Sequence, residues 1–410
     1  MFTEINCCRV CGNTNMNVVL DLGEQALTGV FPHRLSPPGQ KGPVSLIKCN
    51  DVSGCGLVQL KQTYDPDLMY GENYGYKSSL NKSMIDHLRS KVEKIKSSGV
   101  LTKGDIVLDI GCNDGTTLRH FGAEYKRVGI DPTLNKFRDH FEENIICINQ
   151  FFSKEVFKNI FRDVKAKVIT SFSMFYDLPD PVKFATDVAK CLHDDGIWVF
   201  EQSYLPSMLE TNSFDTICHE HLEFYSLKAV LDILERAGLK CLDVEFNNIN
   251  GGSFSVIAAL KTANISPNSK NIMKIIDEEN IQGVHRIETF FAFRGRIETL
   301  RLQTRKLLGE LKSNGEIIYG IGASTKGNVL LQYYELNDFI SAIGEVNSDK
   351  FNCVTPGTGI PIASEETLLE DKNAYFFILP WHFREFFEKS EKFKGKKLIF
   401  PLPKLEIVQL

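Results

Sequence analysis

Residues 214–226, Phe-Asp-Thr-Ile-Cys-His-Glu-His-Leu-Glu-Phe-Tyr-Ser, crowd two histidines, three carboxylates, a thiol and a tyrosine into one short stretch. Imidazoles and carboxyls at this density can move protons near neutral pH. The order His219-Glu220-His221 is not H-E-x-x-H, which sets two imidazoles one helical turn apart for zinc, and no third ligand is evident. The segment is therefore read as the source of a catalytic base, the alternatives being a metal site or a solvated loop.

A base needs a co-reactant, and residues 107–118, Val-Leu-Asp-Ile-Gly-Cys-Asn-Asp-Gly-Thr-Thr-Leu, predict where one binds. An apolar strand runs through Asp109 into a turn from Gly111 through Asn113 to Gly115 and then a helix, so bare backbone faces a ligand. A second strand, Arg127-Val128-Gly129-Ile130, ends in Asp131, where a carboxylate accepts from ribose hydroxyls. The turn is neither G-x-G-x-x-G nor G-x-x-x-x-G-K-[ST] and holds no basic residue, which suits an uncharged or cationic group better than a pyrophosphate. A second glycine turn, 320–327, does contain Lys326 and suits a phosphate at a helix N-terminus, with Asn328 beside it.

Four thiols stand in two pairs, Cys8/Cys11 and Cys49/Cys55, each pair followed by a glycine. Paired thiolates hold tetrahedral zinc, and with all four positions taken by sulfur the role is structural. The second spacing, C-x5-C, is wider than usual, and Cys7 is an alternative to Cys8.

These groups need a frame. The chain of 410 residues is long enough for two or three domains; 43% hydrophobic and 24% charged residues are a globular composition. With 52 acidic against 47 basic residues and net charge −5, no basic surplus points to nucleic acid. No signal segment or membrane-length apolar run is evident, so a cytoplasmic protein with free or metal-bound thiols is expected. The clustered Pro32, Pro37, Pro38, Gly39, Gly42 and Pro43 predict a loop. A polar helix near 78–98 precedes strands at 106–110, 127–130, 145–148, 167–171, 196–201 and 252–260. After a long helix near 283–313, a second α/β unit follows, with strands at 316–321, 341–346 and 374–379 and a helix at 328–336. The expected division is a zinc-binding domain over 1–75, a central parallel-sheet α/β domain over 76–262 and a second Rossmann-like domain over 263–410.

The 107–118 turn resembles motif I of class I S-adenosylmethionine methyltransferases. The cysteine pairs, this turn, Ile-Cys-His-Glu-His-Leu-Glu-Phe-Tyr-Ser-Leu, Asn250-Gly251-Gly252-Ser253 and Gly-Ile-Gly-Ala-Ser-Thr-Lys-Gly-Asn stand in the order seen in sugar C-methyltransferases over nearly the whole chain. That resemblance implies S-adenosylmethionine as cofactor, structural zinc, and a nucleotide-linked 4-keto-6-deoxyhexose, carried on thymidine or guanosine diphosphate, methylated at C3. It implies His221 as base, Glu220 orienting or replacing it, and His219 third in line; Tyr74 and Tyr76 resemble the family's aromatic substrate segment. Asp109, Gly111 and Gly115 would lie under the methionine part, with Asp131 at the ribose. Asn149, Gln150 and Phe151 would meet adenine, and Phe172 and Ser173 would line the cleft.

Two positions depart from the family pattern. Cys218 stands where many members have tyrosine, and Asp177 where many have histidine; Tyr176 or Tyr225 is expected to supply the missing hydroxyl. Sugar O- or N-methylation, a nucleic-acid methyltransferase and a non-catalytic nucleotide-sugar binder are the competing readings. The sequence leaves the oligomeric state open.

Overall fold

The computed structural model describes residues 1–37, 39–50, 52–70 and 77–410. The central sheet is built from β1 (Ile106–Ile110), β2 (Lys126–Ile130), β3 (Ile146–Ile148), β4 (Ala166–Phe172), β5 (Leu192–Ser203), β6 (Leu239–Asn247) and β7 (Ser253–Leu260). Its order is β6-β7-β5-β4-β1-β2-β3, with β7 antiparallel to both neighbours and the remaining pairs parallel. Strands β1 and β4 are buried almost throughout because both faces are covered. On one face Phe175, Phe184, Trp198, Phe200 and Tyr225 pack ring on ring. Removing one such buried ring costs about 3–5 kcal/mol. Parallel strands place all their carboxyl ends on one edge, so Gly111, Asp131, Asn149 and Ser173 emerge together.

At the N-terminus, Met16–Ala26, Lys41–Cys49 and Val58–Leu60 form an antiparallel sheet whose outer strand is Glu223–Phe224 of the central domain. The histidine-rich segment is thus hydrogen-bonded into the cysteine-bearing sheet. Gly42 and Pro43, expected in a loop, belong to the strand Lys41–Cys49. Proline is tolerated near a strand start, where the ladder beside it is irregular between Asp21 and Glu24.

Helices Ser269–Gln282 and Ile287–Ser313 lead to a second sheet of β8 (Ile318–Ile321), β9 (Ala342–Glu345), β10 (Ile362–Ser364), β11 (Tyr375–Ile378), β12 (Lys397–Phe400) and β13 (Glu406–Gln409), in the order β10-β9-β8-β11-β12-β13. All pairs are parallel except β12 with β13. The helix after β8 starts at Thr325, three residues earlier than the sequence predicts, because the Ser324 hydroxyl accepts from Gly327 N and caps it. Lys326 therefore sits in the first helical turn. Among the described residues no helix is long and apolar enough to cross a membrane.

Candidate active site at the meeting of three sheets

Three residues of the turn after β1, Gly111 (φ 71°), Asn113 (φ 49°) and Gly115 (φ 76°), have left-handed backbone. A Cβ on Gly111 would stand 3.0 Å from Met174 Cγ, and one on Gly115 would stand 2.5 Å from Phe141 Cε1, so glycine is required for closeness as well as conformation. Asp131 braces the turn: one carboxylate oxygen accepts from Asn113 N at 2.8 Å and the other from Thr133 N at 2.7 Å. The Thr133 hydroxyl also donates to Oδ1, so Oδ2 is the oxygen that keeps a lone pair for a ribose hydroxyl. Asp109 lies beneath, accepting from the Thr170 hydroxyl at 2.6 Å, and burial pushes its carboxyl up to about 7.

Asn149 accepts from Asn135 N at 3.0 Å, Gln150 is exposed, and Phe151, 49% exposed, offers its ring to a ligand. Ser173 (φ 54°) donates its N–H to Glu201 O and follows the half-buried Phe172. The bare turn, the paired acids Asp109 and Asp131, and this exposed ring fit a cationic sulfonium cofactor with a ribose and a purine. Sequence reasoning missed Asp114, which with Asn113 accepts the backbone N–H groups of Ser79 and Ser78 and ties the turn to the segment before the helix Lys82–Ser97. Tyr74 and Tyr76 lie outside the described residues.

Beyond β5, the helix Leu205–Thr211 and a 3-10 turn, Phe214–Thr216, deliver the histidine-rich segment. His221 Nδ1 is 2.7 Å from Thr216 O; a carbonyl only accepts, so Nδ1 carries a hydrogen and Nε2 is the nitrogen left to meet a ligand. Tyr176 packs edge-on against the imidazole with centroids 4.6 Å apart. Ligand atoms of Cys218, Glu220 and His221 lie within 4.8 Å of one another. Burial raises the Asp177, Glu220 and Cys218 groups, His221 opposing the shift at both carboxyls. Burial thus favours the uncharged forms of these acids and of the thiol beside an imidazole, an arrangement suited to proton transfer. Asp177 Oδ1 has no hydrogen-bond partner, leaving it for a ligand.

Two candidates are not brought here. His219 is buried against Tyr64 (centroids 4.7 Å) and Gly42 O, and burial lowers its imidazole to about 4. Tyr225 stacks on Phe175, its hydroxyl donating to Phe175 O at 3.4 Å. Both side chains hold the segment in place from behind.

The opposite wall comes from the C-terminal sheet. Lys326 Nζ donates to Asn250 O at 2.6 Å, and burial lowers its ammonium while Asp215 and Cys218 raise it. Asp215 accepts from Trp381 Nε1 at 2.8 Å, its second oxygen unpartnered. Asn328 is a tie rather than an open donor: its Nδ2 donates to Thr28 O at 2.9 Å. In the second glycine turn, the acid that closes β9, Glu345, is spent on backbone, accepting from Ala323, Val346 and Asn347 N–H groups. It is not left for a ribose.

In the N-terminal sheet, Cys8 and Cys55 sulfurs stand 3.6 Å apart, as do those of Cys11 and Cys49, and all four lie within 4.8 Å of one another. Zinc–sulfur bonds of about 2.3 Å in a tetrahedron need sulfurs about 3.8 Å apart. The four thiols fit that ion, and Cys7 is not among them.

Comparisons with known proteins follow this geometry. Residues 8–70 match a family described as a zinc binding domain, 81–244 a methyltransferase domain, and 248–403 a C-methyltransferase C-terminal domain. The C-methyltransferase NovU of Streptomyces niveus is 30% identical over 409 residues, 98% of this chain and 96% of its own. Among solved structures, an S-adenosylmethionine-dependent methyltransferase from Clostridium acetobutylicum is 17% identical, with TM-score 0.33, over 42% of this chain and 91% of its own. The mitomycin 7-O-methyltransferase MmcR is 14% identical, with TM-score 0.36, over 44% of this chain and 55% of its own. Three matched domains in sequence, and a relative aligned almost end to end, show that the chain belongs to the S-adenosylmethionine-dependent C-methyltransferases.

Proposed function

We propose that the chain methylates C3 of a nucleotide-linked 4-keto-6-deoxyhexose, taking the proton from the carbon beside the ketone with His221. The observation that carries this reading is the fixed tautomer of His221: Nδ1–H is committed to Thr216 O, so the basic Nε2 is the nitrogen that remains. Asp109, Asp131 and the 111–115 turn would hold S-adenosylmethionine, which would supply an electrophilic methyl group.

The chain's own residues handle the proton and the charge. His221 Nε2 accepts the proton, Nδ1–H keeps its bond to Thr216, and the edge of Tyr176 fixes the ring plane. Negative charge then moves to the ketone oxygen, where a donor is worth most in a desolvated site. Burial favours the uncharged form of Asp177, the form that has an O–H to give. Lys326, its Nζ held at Asn250 O and next to Asp215 and Cys218, is a second donor, through N–H, so we assign it to the developing enolate rather than to the diphosphate. Glu220, raised by burial with the His221 charge opposing, steadies the imidazolium.

Enolate formation is testable without methyl transfer. In deuterated water the parent protein is expected to wash deuterium into the sugar carbon beside the ketone. His221→Asn keeps shape and a hydrogen bond but cannot act as a base, and loses about 10²–10⁴ in rate while still binding both ligands. Near-parental exchange in that variant places the base elsewhere, with Glu220 next; joint loss of binding and stability makes the histidine structural.

A further inference from the structure

Arg9 stands between the zinc-ligand candidates Cys8 and Cys11, and its side chain is almost wholly buried, at 2% exposure. Nη1 donates to Leu60 O at 2.6 Å, and Nη2 donates to Gln62 O at 3.1 Å and the Thr63 hydroxyl at 2.7 Å. Its backbone N–H and Nη1 both reach Gln59 Oε1. Nε stands 3.6 Å from a carboxylate oxygen of Glu223, a fully buried side chain. The guanidinium thus hydrogen-bonds the first cysteine pair to residues 59–63 and sets its charge, without a hydrogen bond, beside the residue two positions after His221.

The backbone repeats the connection. Cys49 N donates to Leu57 O at 2.8 Å, closing the hairpin that carries Cys49 and Cys55. That hairpin's second strand pairs Val58 with Phe224 and Gln59 with Glu223. Leu60 N donates to Leu222 O, and Leu222 N to Tyr176 O, both at 2.8 Å. The residue next to His221 is held on both sides, by the cysteine-bearing sheet and by the turn after β4. Slippage of such a pairing by one residue turns every side chain to the opposite face.

We propose that Arg9 is a positioning residue: with the zinc knuckle it sets the register of residues 222–224 and thereby the placement of the His221 imidazole in the cleft. The zinc knuckle is then part of the proton-transfer apparatus, although it touches neither cofactor nor sugar. The catalytic half of this inference rests on His221 being the base; the structural half does not.

Arg9→Met keeps the apolar stem and removes the fork. Four readouts are expected: zinc content at the parental level, S-adenosylmethionine affinity unchanged by calorimetry, faster amide hydrogen exchange over 217–226 with 106–131 unaltered, and deuterium wash-in to the sugar reduced by on the order of 10–100-fold. Arg9→Lys, which keeps the charge without the fork, is not expected to rescue wash-in. If Arg9→Met does not fold, zinc is stripped from the parent under native conditions and the two segments are compared in the same way. Unchanged protection of 217–226 overturns the proposal, as does loss of cofactor affinity in step with wash-in. Loosening of 217–226 with undiminished wash-in upholds the tie and removes His221 as base.

Discussion

Asp109 turns burial into a measurable pH dependence. Its carboxyl rises from the ordinary 3.8 to about 7 through burial, with the Thr170 hydroxyl opposing. An acid with a higher pKa folded than unfolded stabilises the fold when protonated, so its contribution is complete below 3.8 and is lost as pH rises through about 7. Denaturant unfolding of the parent relative to Asp109→Asn should therefore worsen across that window by up to about 1.4 kcal/mol per pH unit. A pH-independent difference contradicts the assignment. At Asp131 the test is affinity: Asp131→Ala should cost about 1.5–3 kcal/mol, roughly ten- to a hundredfold, in calorimetric binding of S-adenosylmethionine. Unchanged binding removes the ribose role. Both acids were legible in the sequence because a strand end and the turn after it are set by neighbouring residues. Asp215 with Trp381 was not, since folding brings that pair together from 166 positions apart.

At the level of elements, the loop after Met16–Ala26 closes on the histidine-rich segment at Gly29. A Cβ there would meet Glu220 Oε1 at 2.6 Å, the far end of a side chain and not backbone. Gly29→Ala should displace that carboxylate at little cost in stability, lowering kcat while cofactor affinity and melting temperature hold. A parental kcat contradicts a role for Glu220 beside His221. The parallel strands β1 and β2 were readable because each runs into an acid and a turn, at Asp109 to Gly111 and at Asp131, whereas β6, Leu-Lys-Cys-Leu-Asp-Val-Glu-Phe-Asn, alternates charged with apolar residues and has no such mark. β10, β12 and β13 were missed as well, and length is not the reason, since β8, β9 and β11 are four-residue strands and were read, β8 through the glycine turn that follows it. Gly42 and Pro43 read as loop punctuation, yet tertiary pairing with Glu24 and Gln25 makes them strand.

Over the whole molecule, the candidate site is assembled by three sheets. Thr28 and Gly29 come from the first, Asp177 to His221 from the second, and Lys326 and Asn328 from the third, and Asn328 ties the third back to Thr28. The order of domains could be read along the chain; their convergence could not, because no local pattern encodes which surfaces meet. The Cys8, Cys11, Cys49 and Cys55 site predicts about one zinc per chain in metal analysis, with Cys11→Ser losing both metal and stability. No metal in folded, active protein contradicts that site, and a second equivalent held at Cys218, Glu220 and His221 contradicts the proton-transfer reading.

The central claim concerns a new carbon–carbon bond on a nucleotide sugar. Its most direct measurement is incubation with S-adenosylmethionine carrying a ¹³C methyl group and a panel of thymidine- and guanosine-diphosphate 4-keto-6-deoxyhexoses, followed by mass spectrometry and ¹³C NMR of the product. The account predicts a gain of one methyl whose labelled carbon couples to a ring carbon beside the ketone and survives mild hydrolysis. A label on oxygen or nitrogen, or no transfer to any member of the panel by zinc-replete protein that binds S-adenosylmethionine, contradicts it.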